Sequence, residues 1–165
     1  MLEWIEPEPP AVTERVADYP RPPRLEPVAR RLRVVFDGRT IADTTRGMRV
    51  LETNHPPTYY FPPGDVDTSV MVATPSRTWC EWKGRARYWS LHAGDAVAVD
   101  AAWTYPTPAR DFAAIAGWFA FYPARVDACL VDDEQVDAQQ SSFYGGWITA
   151  DIEGPFKGPP GTAGW

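Results

Sequence analysis

Eighteen prolines spread through 165 residues constrain this chain more than any other feature. Each fixes φ and removes a backbone N–H, so long helices are interrupted before they can form. Aromatic residues make up 13% of the chain, and bulky rings favour strands. The pattern therefore predicts many short strands, frequent turns and little helix. A chain of this length is the usual size of one domain with a single core.

Read in order, residues 1–31 are a proline-rich and charged leader suited to extended polyproline geometry, with Trp4 and Tyr19 as places to dock. The domain proper is expected over residues 32–132. Leu32 to Phe36 and Thr40 to Asp43 flank Asp37-Gly38, the pair that supplies the positive φ angles of a tight hairpin turn. Met48 to Leu51 reads as a third strand. Val70 to Val72 and Thr78 to Cys80 read as separate extended pieces, Ala86 to Leu91 and Ala96 to Trp103 as strands turning at Ala93-Gly94-Asp95. Ala109 to Ala116 is the one expected short helix, and Pro62-Pro63-Gly64-Asp65 is a turn. Trp118 to Tyr122 and Val126 to Val131 complete the strands. Residues 133–165 form a Gly- and Pro-rich tail whose aromatics predict that it packs back onto the domain.

The net charge is −6, which disfavours general binding to nucleic acid or anionic lipid. No apolar run approaches the ~20 residues that span a bilayer. Cys80 and Cys129 show no Cys-x-x-Cys spacing, and the first residues lack the pattern of a signal peptide. Free thiols in a reducing cytoplasm are the expectation.

Polar groups that act near neutral pH gather in Glu52-Thr53-Asn54-His55-Pro56-Pro57-Thr58-Tyr59-Tyr60, which holds one of the two histidines. Cys80-Glu81-Trp82-Lys83-Gly84 supplies candidate partners. An imidazole titrates near neutral pH and a carboxylate fixes its tautomer, so His55 with Glu52 or Glu81 suits acid–base work. The alternative is a histidine bonded to backbone at the Pro-Pro corner. Cys80 beside Lys83 and an imidazole suits nucleophilic catalysis, against the commoner fate of a buried small hydrophobe. Lys83 next to Gly84 suits an anionic group. Tyr59, Tyr60, Trp82, Trp103 and Tyr105 suit a slot for a planar or sugar-like ligand. Trp103 and Tyr105 alternate on a strand, so both point one way, expected to be the side of His55. His92 is read as a surface turn residue, and Cys129 as core.

Val34-Val35-Phe36-Asp37-Gly38, Ile41-Ala42-Asp43-Thr44, Glu52 to Tyr60, Cys80 to Gly84, Ala102-Trp103-Thr104-Tyr105-Pro106 and Ala120-Phe121-Tyr122 together resemble the bacterial domain-of-unknown-function family 427. The resemblance covers about residues 30–132; the leader and the tail are similar to its longer actinobacterial form. It implies a compact β-domain of the β-tent kind shared with methionine sulfoxide reductase B and Mss4-like proteins, and no established activity. The family also carries a nucleotidyltransferase-like label. Asp65-Val66-Asp67 has the carboxylate spacing of such enzymes, but no Gly-Ser phosphate loop precedes it. β-Tent relatives often hold zinc with four cysteines. Two cysteines and two histidines without paired spacing do not suit a closed zinc site, so no cofactor is expected.

These readings converge on recognition of a small polar or anionic molecule by Glu52, His55, Tyr59, Tyr60, Lys83, Trp103 and Tyr105. An enzyme at the same site using His55, Cys80 or Glu81 is the second expectation. A protein-interaction module using the proline-rich ends is the third.

Overall fold

The computed structural model describes residues 13–165. Trp4, Pro7, Pro9 and Pro10 of the expected leader lie outside the described residues. The architecture is mainly β, built from three antiparallel sheets. The largest runs in the order Ala120–Phe121, Ala96–Thr104, Gly84–Ala93, Met71–Cys80. A second runs Glu134–Gln135, Ala128–Val131, Leu32–Phe36, Arg39–Thr44, and a third Arg24–Val28, Gly47–Leu51, Thr58–Tyr60. Two short pairs add the ends: Glu14–Arg15 beside Ile152–Glu153 in parallel, and Asp137–Ala138 against Trp147–Ile148. Among the described residues, no helix is long and apolar enough to cross a membrane.

The Asp37-Gly38 hairpin forms as its chemistry requires, with φ of 52° and 70° at its two central residues. Elsewhere proline acts more subtly than a strand breaker. Val70–Val72 and Thr78–Cys80 are not separate pieces, because Met71–Cys80 is one strand that carries Pro75 through a register shift between Ala73 and Arg77. That strand lies at the sheet edge, where a missing N–H breaks no ladder bond and a bulge absorbs the distortion. Thr74 and Ser76 hydroxyls at the bulge each donate to the Asp100 carboxylate at 2.7 Å.

Pro27 is tolerated for the same reason. Arg24–Val28, expected as unpaired leader, is an edge strand in register with Gly47–Leu51. The expected helix is a 3-10 segment, Arg110–Ile115, kinked at Phe112 with φ of −114°. Of Trp118–Tyr122 only Ala120–Phe121 is regular strand, although Phe119 still bridges to Phe61. His92 is exposed near the end of a strand rather than in a turn.

Leu32, Val34, Phe36, Tyr59, Phe61, Leu91, Phe119, Phe121 and Trp147 fill the main core, together with Cys129. Burial pushes the Cys129 thiol pKa up and leaves it an apolar side chain. A second cluster holds Val50, Tyr60, Tyr88, Trp103, Tyr105, Phe112, Ile115 and Tyr122. Successive strand residues face opposite ways, so Tyr59 enters the first cluster and Tyr60 the second. The second cluster is rich in hydroxyls, and that composition shapes the site.

At the other end, Arg49 donates to both Glu14 and Glu26, tying the Glu14–Arg15 strand to the third sheet. Its guanidinium holds the Glu14 carboxyl below the usual range. The tail is anchored by Trp147, fully buried, with its indole N–H donating to the Phe121 carbonyl at 3.1 Å.

Candidate functional site

Over the second cluster opens a cavity of about 260 Å³. Three parts of the chain wall it. The Glu52–Tyr60 segment gives Glu52, His55 and Tyr60; the hairpin tip gives Thr78, Cys80, Glu81, Trp82 and Lys83; the tail gives Gln139, Phe143, Tyr144 and Lys157. Tyr88, Trp103, Tyr105 and Tyr122 complete it from the large sheet and its continuation. Trp103 and Tyr105 do share a face, and it is the face towards His55. Tyr59 is the exception among the sequence candidates. It stands on the opposite face of its strand and packs against Trp147 with ring centroids 5.0 Å apart.

His55 is 8% exposed, and its tautomer follows from its neighbours. The Gln139 carboxamide oxygen accepts from the Gly146 N–H at 3.1 Å, so its nitrogen is the atom facing Lys157 and His55. That NH₂ donates to the Lys157 carbonyl at 2.7 Å and to His55 Nδ1 at 3.2 Å. Nδ1 is therefore an acceptor, and the ring proton sits on Nε2. Nε2 faces Glu52 at 3.6 Å, and the same carboxylate lies 3.6 Å from Arg21. Burial lowers the imidazole pKa to about 4, aided by the charges of Lys157, Lys83 and Arg21. Burial and the three cations outweigh Glu52, so the ring is neutral at pH 7.

The hydroxyls form a directed chain. Tyr122 donates to the Phe143 carbonyl at 2.8 Å, which consumes its only hydrogen. The hydrogen between Tyr88 and Tyr122, 3.4 Å apart, must then come from Tyr88, and Thr78 donates to Tyr88 across 2.9 Å. Tyr60 stands apart. It is fully buried, and its hydroxyl has no hydrogen-bond partner. The Trp103 indole is near enough to oppose the rise in its pKa, yet no bond of ordinary geometry joins them. Desolvation raises the pKa of Tyr60, Tyr105 and Tyr122, so all three stay neutral phenols.

Two ammoniums line the cavity without a carboxylate partner among the described residues. Lys83 Nζ lies 5.8 Å from the Tyr105 ring centre and 5.9 Å from that of Phe112. Lys157 Nζ lies 5.4 Å from the centre of Tyr144. Cys80 is half-buried in the wall beside Tyr60 and Tyr105. His55 spends Nδ1 on Gln139 and turns Nε2 to Glu52, so no thiol–imidazole pair forms. Glu81 is exposed at the rim. The Asp65 and Asp67 carboxylates are occupied elsewhere: Asp65 accepts from Thr44 and Arg46, and Asp67 caps Ser69 and faces Arg39.

With the cavity defined, the comparison with known families bears on its walls. The family described as Domain of unknown function (DUF427), labelled NTP_transf_9, matches residues 24–132. The chain belongs to the DUF427 family. No curated protein matches it. The DUF427 span contains Glu52, His55, Tyr60, Cys80, Lys83, Trp103 and Tyr105, but stops before the tail that supplies Gln139, Tyr144 and Lys157. Sequence reasoning does not single out those tail residues. The one local sign was a Gly145-Gly146 pair and a lone lysine within a segment too aromatic to float free.

Proposed function

We propose that this DUF427 protein binds a small polar molecule carrying negative charge in the cavity between its large sheet and its tail. The observation that carries the reading is the fully buried, unpartnered Tyr60 hydroxyl in a cavity lined by two ammoniums that have no carboxylate partner among the described residues. A buried donor left unmade costs about 1–3 kcal/mol, a cost that a ligand acceptor would relieve. The neutral His55 and the phenols supply donors without adding negative charge. The Lys83 and Lys157 ammoniums rest on aromatic faces, partners that a carboxylate or phosphate oxygen would outcompete. Catalysis by Cys80 draws no comparable support, since both nitrogens of His55 are engaged away from it. Its two free thiols support a reducing compartment, and its −6 charge speaks against a nucleic-acid partner.

Calorimetric titration with a panel of small organic acids tests this. We expect binding by the native protein, and a loss of roughly tenfold or more for each of Lys83→Met and Lys157→Met, as befits a charge-assisted contact. Equal affinity in the double variant, or no binding by the native protein, would refute the reading.

A further inference from the structure

Resting on that reading of the cavity, we infer that its ligand is a planar, ring-bearing monocarboxylate with a hydrogen-bond acceptor on the ring, away from the carboxylate. Three independent features define this class.

The first is a hydrogen count on the cavity floor. Thr78, Tyr88 and Tyr122 pass their hydrogens along a chain that ends on the Phe143 carbonyl, so none is left for a ligand. The Tyr60 O–H is left over, and so is that of Tyr105, which lines the same cavity and makes no hydrogen bond among the described residues. Two phenol donors lack an acceptor, and both are neutral. The group that fits is a neutral acceptor such as a ring nitrogen or carbonyl oxygen, because a charged group at that depth would lose its hydration.

The second is the charge at the rim. Lys83 and Lys157 line the cavity, and Arg21 faces the Glu52 carboxylate at 3.6 Å. Glu52 and Glu81 are the carboxylates on the cavity wall, and His55 is neutral. With Glu52 matched by Arg21, the ammoniums of Lys83 and Lys157 against Glu81 leave one positive charge. A monoanion balances it, whereas a phosphate dianion would meet Glu52 and Glu81 with charge in excess.

The third is shape. Trp103 and Tyr122 pack at 4.6 Å between ring centroids, and Tyr144 meets His55 edge-on at 4.6 Å, so the sides are ring faces and edges. A planar ring gains about 0.5–1.5 kcal/mol from each such contact. The cavity volume of about 260 Å³ suits one ring with its substituents, falling just under the roughly 300–1,000 Å³ of sites for drug-sized ligands.

The test uses the full chain and simple probes: the three pyridine monocarboxylate isomers, benzoate, and the three pyridine carboxamides. Benzoate keeps the charge and loses the acceptor; the carboxamides keep the ring nitrogen and lose the charge. We expect at least one pyridine carboxylate to bind about tenfold more tightly than benzoate and than its own carboxamide, the worth of one buried hydrogen bond or one charge contact. Tyr60→Phe should bring that isomer down to the affinity of benzoate and leave benzoate unchanged. This variant removes an unsatisfied buried hydroxyl, so it should melt at or above the native temperature. Benzoate or the carboxamides binding as tightly as every pyridine carboxylate, or Tyr60→Phe leaving their ranking intact, would overturn the inference while the cavity stands as a binding site. Binding of no probe to the native protein, with other organic acids still bound, would overturn the ring-bearing class alone. Failure of all acids would overturn both.

Discussion

Trp147→Ala should lower the unfolding free energy by about 3–5 kcal/mol, the cost of truncating a large buried aromatic to alanine. Trp147 sits beyond the DUF427 span, in the tail, yet none of its surface is exposed. Its ring packs against Tyr59 at 5.0 Å and Phe61 at 6.0 Å, and its N–H donates to the Phe121 carbonyl. Truncation opens a cavity at the centre of the main core and strands that carbonyl. Trp147→Phe keeps most of the apolar contact and should cost less. Because Gln139, Tyr144 and Lys157 belong to the same tail, Trp147→Ala should also weaken ligand binding. Denaturant unfolding at pH 7 measures the effect. A loss under 1 kcal/mol would mean that the tail is an appendage rather than part of the core.

The second large effect is in pH. The His55 imidazole has a folded pKa of about 4 against a usual 6.5, chiefly because burial disfavours its charged form. Above pH 6.5 the ring is neutral in both folded and unfolded chains and contributes no pH dependence. Between about 6.5 and about 4 the unfolded chain takes up a proton that the folded one refuses, so stability falls as pH falls. The full span is on the order of 3 kcal/mol. Carboxylates such as Glu14 and Asp43 also titrate in acid, with lowered pKa values from Arg49 and Arg31, so the effect is read as a difference. His55→Asn should be flatter than the native protein across pH 6.5 to 4, by denaturant unfolding at each pH. Parallel curves would mean that His55 takes up its proton as readily in the fold as in the unfolded chain, and the acceptor role of Nδ1 would then fail in acid.

Much of this fold is legible in local chemistry. Asp37-Gly38 dictates a hairpin whatever surrounds it, and the alternation of Trp103 and Tyr105 fixes a shared face. Two misreadings have one cause, which is that proline is costly in a central strand and cheap at an edge. Pro27 and Pro75 lie on edge strands, and edge position is a property of the assembled sheet, not of neighbouring residues. Adjacency suggests one role for Tyr59 and Tyr60, although adjacency in a strand means opposite faces. The lining of the candidate cavity is half legible. Glu52, His55, Cys80 and Lys83 announce themselves by residue type in polar clusters. Gln139 and Lys157 act through contacts 84 and 18 residues distant along the chain, and no spacing rule encodes a bond of that span.

The most direct test of the binding account is the indole N–H spectrum during titration with small organic acids. Trp147 Nε1 is bonded to the Phe121 carbonyl and Trp89 Nε1 to the Thr104 hydroxyl, whereas Trp103 borders the cavity beside the unpartnered Tyr60. The Trp103 indole signal, assigned with Trp103→Phe, should shift in a saturable manner while those of Trp147 and Trp89 hold. A silent Trp103, or saturable shifts confined to Trp165, which lies outside the cavity lining, would contradict the claim that this cavity is the binding site.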